Sequence, residues 1–375
     1  MSDQRFDDIR PYHDDEIHAA MCRIADNPLL QAVADFLYPG SDIKDLQTLF
    51  RSIHTSHDFQ IKVMHFAINE ITRKTSSGVS SNGVTKLDKQ TSYLFISNHR
   101  DILLDSAIYQ VILHENGYKT SEITFGSNLM QPDFVVDIGK SNKMFKVERG
   151  LTPREFYTHS KHLSDYIRYT IQHKDESIWI AQRNGRTKDG NDQTDQGILK
   201  MFSMSGDSDL IQNFAELHIC PLSISYEYEP CIVQKVRELY ISKTRKYEKA
   251  PGEDLQSILF GITQPKGRIH IEVTKPIELE ELQTIAHESK TEIYNALLEI
   301  IDQRIHKNYK LFPNNYIAYD IAQATTTYAN HYTQQQKDAF VQTMKSQLSS
   351  IEGIQQELEE LYVGIYANPV VNYYK

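Results

Sequence analysis

What this chain lacks narrows its class before any motif is read. It holds 3 cysteines, Cys22, Cys220 and Cys231, in 375 residues. Their number is odd and their spacing matches no metal or redox motif, so a disulfide-stapled secreted scaffold is excluded and a reducing compartment is expected. The opening residues are acidic, with Asp14, Asp15 and Glu16, and carry no apolar stretch of the kind a secretory signal needs. No run of roughly 18 apolar residues occurs, so no membrane span is expected. Neither end has a Lys/Arg-rich tail and the formal charge is −10, which argues against a nucleic-acid partner.

The rest of the composition is ordinary. Apolar residues make up 40% and charged residues 24%, so disorder on the scale of a domain is excluded. The length suits one large domain or two smaller ones.

Along the chain three regions differ in pattern. Residues 1–80 read as an N-terminal helical domain. Ile43, Leu46, Leu49, Phe50 and Ile53 recur at helical spacing, as do Phe59, Val63, Phe66, Ala67 and Ile71. Asn27-Pro28 and Tyr38-Pro39-Gly40-Ser41 punctuate this region, with a new N-cap at Ser41 or Asp42. The Ser/Gly-rich segment from Thr75 to Gly83 reads as a linker. Residues 84–278 then alternate short β-branched and aromatic runs with amphipathic stretches. Strands are predicted at Tyr93–Ser97, Glu122–Phe125, Phe145–Glu148, Ser177–Ala181, His218–Ser225 and Arg268–Val273. Helices are predicted at Leu104–Glu115, Pro153–His173 and Asp209–Glu216. This alternation predicts an α/β fold with a mostly parallel central sheet flanked by helices, active residues lying at strand ends. Residues 279–375 read as a helical C-terminal extension, with Ile285–Gln303 and Gln334–Leu361 as its main pieces.

Four short blocks carry the chemistry. In the first, the apolar run Tyr93–Ile96 leads into Ser97-Asn98-His99-Arg100-Asp101 and on through Leu104-Asp105. A histidine at the end of a buried strand can take a proton from a hydroxyl when a carboxylate fixes its tautomer and steadies the imidazolium. A polar loop in which Asp101 or Asp105 merely caps the helix is the plainer reading. In the second, the strand at Phe145 ends in Glu148-Arg149-Gly150, placing a planar, permanently charged fork where it can hold a phosphate. A surface strand explains the same residues. In the third, the strand at Trp179 runs into a glycine-containing loop bearing Arg183, Arg186 and Lys188, which suits an anion or an Asn-Gly turn with solvated charges. The fourth is the strand Ile219-Cys220-Pro221-Leu222, whose proline marks an edge or a bend.

Taken in order, these blocks resemble the glycerolipid acyltransferase family, which includes glycerol-3-phosphate and 1-acylglycerol-3-phosphate acyltransferases. The resemblance covers roughly residues 84–275. His99 matches the histidine of the family's His-x4-Asp box, its general base. Phe145, Val147 and Arg149 resemble the block that binds the acceptor phosphate, the loop from Arg183 to Gly190 the family's glycine-rich phosphate loop, and Cys220 to Ile224 its later apolar strand. Two departures stand out. The carboxylate comes six residues after His99, with Leu104 in the expected place, so Asp105 is the expected partner and Asp101 the fallback. The family's loop glutamate is replaced by Arg183 or Asn184.

The resemblance implies an acyltransferase that uses acyl-CoA or acyl-ACP as co-substrate and needs no bound cofactor and no metal. His99 would be the base, Asp105 its partner, and Arg149, Arg186, Lys188 and Arg183 the phosphate ligands. The acceptor would be a glycerophosphate or lysolipid, and the enzyme would work in the cytoplasm, peripheral at the inner face of the cell membrane. Backbone N–H groups at the start of the helix after His99 would stabilise the oxyanion. An amino-acid-derived lyso-lipid acceptor is the alternative within the class. A catalytically inactive homologue that binds lipid or acyl carrier is the alternative outside it. The basic segment Lys235, Arg237, Lys243, Arg245, Lys246 and Lys249 would meet lipid headgroups, acyl carrier protein or coenzyme A phosphates, or else form a solvated helix face.

Overall fold

Seven strands form one sheet in the order β1-β7-β6-β2-β5-β3-β4. They are β1 Ser76–Asn82, β2 Leu94–Ser97, β3 Glu122–Gly126, β4 Met144–Val147, β5 Ile178–Ala181, β6 Ile219–Tyr226 and β7 Gly267–Val273. This is a computed structural model that describes residues 4–37 and 39–375, so Met1–Asp3 and Tyr38 lie outside the described residues. Among the described residues only the β6–β7 pair is antiparallel. The fold is α/β, a mostly parallel sheet flanked by helices.

Strand periodicity sorts the core into two layers. Phe95, Trp179 and Leu222 point to one face, packed against the helices His65–Thr75 and Leu104–Glu115. Leu94, Ile96, Ile178 and Ile180 point to the other, under the helices Pro153–His173, Gln196–Phe202 and Lys290–Lys307. The N-terminal helices have their own core around Ile17, Ile24 and Phe50, joined by Phe134. Asp42 caps one of them, accepting from Lys44 N at 2.9 Å. The last helices close a fourth cluster around Val236, Phe340 and Tyr366.

Three expectations are corrected. The linker-like segment is β1, an edge strand parallel to β7. Its polar side chains face solvent, and Ser80 and Asn82 bond to His270 and Glu272 at 2.9 and 3.1 Å, so no apolar alternation marked it. The proline-bearing strand β6 is interior. Pro221 is tolerated because the antiparallel ladder ends at Leu222–Val273. Beyond it the Pro221 carbonyl accepts from Thr274 N at 3.1 Å, so one ladder bond at most is forgone. Finally, Gln334–Leu361 is two helices, Gln334–Leu348 and Gln355–Tyr374, broken at a serine pair and Gly353, where a Cβ would meet the Tyr240 ring at 2.9 Å.

Candidate active site

The buried strand β2 delivers the chain to the carboxyl end of the sheet, where ligands of open α/β folds bind. There His99 Nδ1 lies 2.8 Å from Asp105 Oδ2, with the two side chains 13% and 0% exposed. The ring stands edge-on to Trp179, centroids 5.6 Å apart. The extra residue relative to the His-x4-Asp spacing is absorbed by a tight turn. Asp101 Oδ1 accepts from Leu103 N and Leu104 N at 3.0 and 2.8 Å. Leu104 enters the core, and the next side chain, Asp105, returns to the imidazole.

The Asp105 carboxylate is saturated. Besides His99, Oδ2 accepts from Arg100 N at 2.5 Å and Asp101 N at 3.0 Å, and Oδ1 accepts from Tyr226 Oη at 2.7 Å. Burial first, and the Asp105 charge second, hold the Tyr226 phenol well above its ordinary value, so it stays a donor. An acceptor-only partner places the proton of neutral His99 on Nδ1 and leaves the Nε2 lone pair outward. Nε2 makes no hydrogen bond among the described residues. Four amides at the start of the helix, those of Arg100, Asp101, Leu103 and Leu104, are engaged by Asp105 and Asp101. The oxyanion expected at that helix start therefore has none of these four to receive it.

Behind the pair sits a buried charge network that motif reading missed. Arg100 is fully buried between Asp192 at 2.6 Å and Glu229 at 3.1 Å, over the Tyr309 ring. Buried Lys235 bonds Glu229 at 2.5 Å and the Arg100 carbonyl at 2.9 Å. Asn98 ties β2 to Ile224 of β6 through both backbone groups and donates to Asp192. Tyr226, Asp192, Glu229 and Lys235 come from far along the chain. A tyrosine ending an apolar strand was the one local signal among them.

The four expected phosphate ligands are not gathered at one point. Arg149 and Arg183 line a groove of about 170 Å³ whose walls include Val147, Phe156, Ile180 and Met201. Arg149 Nη1 donates to Asn184 Oδ1. Lys188 is taken by Glu238, and burial, then Arg186, lowers its ammonium to about 8. Arg186 is buried with Nη1 unpartnered among the described residues. Its loop neighbours Gln182 and Thr187 also carry buried polar atoms without partners. Unsatisfied buried polar groups are rare in folded proteins, and this loop holds three residues that carry them, among others elsewhere in the fold.

The C-terminal helix fixes the far side of that loop. Pro369 lacks the N–H that would bond Ile365, and Gly190 packs on that carbonyl so closely that a Cβ would sit 2.1 Å from it. Asn368 donates to the Asp189 carbonyl at 2.7 Å.

Asp101 is placed as a helix cap, with Oδ2 buried and unpartnered. Burial first, then the Asp105 charge, raises its pKa. A folded pKa above the unfolded value means the folded protein binds the proton more tightly, so this carboxyl costs stability once pH rises through its folded pKa. Asp101→Asn keeps the Oδ1 acceptor and removes the charge. It is expected to raise the thermal midpoint at pH 7 by about 1–3 °C, a gain that shrinks toward pH 4, and to leave the activity proposed below within about threefold. Thermal unfolding at both pH values, with turnover measured alongside, checks this. Inactivation as deep as that of a His99 variant would instead make Asp101 part of the reaction.

No family model and no curated protein matches the chain. Among solved structures, the chain is similar to the 1-acyl-sn-glycerophosphate (LPA) acyltransferase PlsC from Thermotoga maritima, at 11% identity and a TM-score of 0.37 over 78% of this chain and 98% of that one. At that distance the likeness transfers no residue role. No helix is long and apolar enough to cross a membrane, among the described residues.

Proposed function

We propose that this protein is an acyltransferase that moves a fatty acyl group from an acyl-CoA or acyl-ACP thioester to the hydroxyl of glycerol-3-phosphate or lysophosphatidate, as a step in phospholipid synthesis. The observation that carries the reading is the His99–Asp105 pair: an imidazole whose Nδ1 is held by a saturated buried carboxylate and whose Nε2 is open at the carboxyl end of a parallel sheet. The apolar groove with Arg149 and Arg183 along it suits an amphiphile with an anionic end. Arg186, whose buried Nη1 has no hydrogen-bond partner among the described residues, supplies a further cation on the loop.

In this reading the acceptor hydroxyl lies against His99 Nε2. The imidazole takes its proton as the oxygen attacks the thioester carbonyl, forming the C–O bond. The C–S bond then breaks, and the imidazolium returns the proton to the departing thiolate, so the base is regenerated. Asp105 stabilises the charged ring between the two transfers. Base catalysis of this kind contributes about 10²–10⁴-fold, with positioning supplying more.

The test is transfer of label from palmitoyl-CoA and palmitoyl-ACP to glycerol-3-phosphate, lysophosphatidate and a lyso-aminolipid. Transfer to one of the two phosphate acceptors is expected. Transfer to the lyso-aminolipid alone would move the assignment to an amino-acid-derived acceptor. Donor binding without transfer to any of the three would replace catalysis with a binding role.

A further inference from the structure

The basic segment after β6 does not act as one patch. Lys235 is buried on Glu229, Lys243 pairs with Glu357 at 2.8 Å, and Lys249 pairs with Asp254 at 2.6 Å. Arg237, Arg245 and Lys246 are left without an ion pair among the described residues. All three line a hollow of about 930 Å³ beside the helix Glu253–Thr263. Of the acids there, Glu253 is engaged by Tyr247 and Ala250 N, which leaves Glu248 against three cations.

That helix carries apolar residues on its outer face as well as its inner one. Inward it buries Ser257 and Gly261, and Gly261 lies so close over the His99 loop that a Cβ would stand 2.3 Å from Asp101 Oδ2. Its first turn is tied to the end of β3, where Asn128 donates to Asp254 at 2.8 Å. Outward it shows Leu255, Leu259 and Phe260, exposed by 47%, 52% and 42%. Ser257 and Gly261 seat the helix closely on the site and Ile262 packs against the core, while Leu255, Leu259 and Phe260 face water, with Phe260 bordering the unpaired cations.

We propose that the helix Glu253–Thr263, with Arg237, Arg245 and Lys246 beside it, is the face that docks on an anionic phospholipid bilayer. The proposal deepens the lipid-acyl-transfer reading and rests on it for the choice of a bilayer. Two features fit that occupant: unpaired cations on a protein of net charge −10 complement anionic headgroups, and an apolar row on an exposed helix inserts into the headgroup–acyl boundary. Docked this way, the helix that roofs the His99 loop is the one that meets the membrane, so a lipid acceptor reaches the site without crossing bulk water.

The experiment is co-sedimentation with vesicles of phosphatidylcholine, alone and mixed with phosphatidylglycerol. It uses wild type, His99→Ala, Leu255→Ser/Leu259→Ser and Arg245→Gln/Lys246→Gln. Wild type and His99→Ala are expected to bind the mixed vesicles equally and the neutral ones far more weakly, which separates docking from catalysis. Each cation removed should weaken binding about fivefold, an effect that added salt mimics. The double leucine variant should lose at least about tenfold. It should still turn over a short-chain, water-soluble acceptor at the wild-type rate while failing on vesicle-borne acceptor. If wild type ignores the mixed vesicles, or if both surface variants bind them as wild type does, the proposal is overturned. Binding to acidic acyl carrier protein that the same substitutions abolish, without vesicle binding, overturns it in favour of a protein partner.

Discussion

The acyl transfer proposed for this site is expected to fall by about 10²–10⁴-fold in His99→Ala, with a thermal midpoint close to wild type. The ring stands edge-on to Trp179, is 13% exposed, and is not a core element. Its loss leaves Asp105 with three donors from Arg100 N, Asp101 N and Tyr226. Asp105→Asn sharpens the test. An asparagine oxygen in the Oδ2 position still accepts from Nδ1 and both amides, and its NH2 can donate to the Tyr226 hydroxyl, which turns from donor to acceptor. The network survives and the tautomer with it; the negative charge that steadies the imidazolium is gone. The expected result is a folded enzyme slowed by about 10²-fold or more in kcat. Tyr226→Phe should be milder in rate, about tenfold, with a stability loss of about 1.5–3 kcal/mol for a hydrogen bond to a charged group. Steady-state kinetics with calorimetry on all three variants decide the matter. If Asp105→Asn keeps wild-type kcat, the pair is structural.

Much of this site could be read before the structure, and what could not has a common cause. His99 sits where an apolar run stops and a polar one begins, a contrast visible within nine residues. Leu94 and Ile96 on one face of the sheet and Phe95 on the other follow from strand alternation, so both layers were legible. β1 was not. Its side chains bury almost nothing, and it is a strand because its backbone pairs with β7 about 190 residues away. Separations of 121 and 129 residues from Asp105 and Arg100 hide Tyr226 and Glu229 from a motif search, because their meaning comes only from what the sheet order brings beside β2. Lys188 shows the opposite case: a loop cation expected to be free is spent on Glu238, a partner on another helix that no loop pattern reveals.

The largest stability loss is expected at Arg100, next to the proposed base and with no part in the chemistry. Arg100 and Lys235 balance Asp192 and Glu229 in a fully buried group of two positive and two negative charges. Burying such ions gains little against an apolar core, but breaking the set is costly because the orphaned charge cannot reach water. Arg100→Met leaves Lys235 alone against two carboxylates. It is expected to lower unfolding free energy by about 3–5 kcal/mol at pH 7, measured by urea denaturation. The sign with pH follows from the same imbalance. With its cation gone, a carboxyl of the group binds a proton more tightly in the folded state than in the unfolded, so the deficit should narrow as pH falls toward the carboxylate range. Arg100→Met with Asp192→Asn removes one charge of each sign and should recover a substantial part of the loss, the pair coupling by at least about 1 kcal/mol. Losses that merely add would show that Arg100 acts through packing on Tyr309 and not through charge. Because Arg100 N also holds Asp105, the single variant should lose activity at temperatures where it remains folded, and the double variant should regain stability first. That order of recovery distinguishes a network that holds the base in place from one that only holds the fold together.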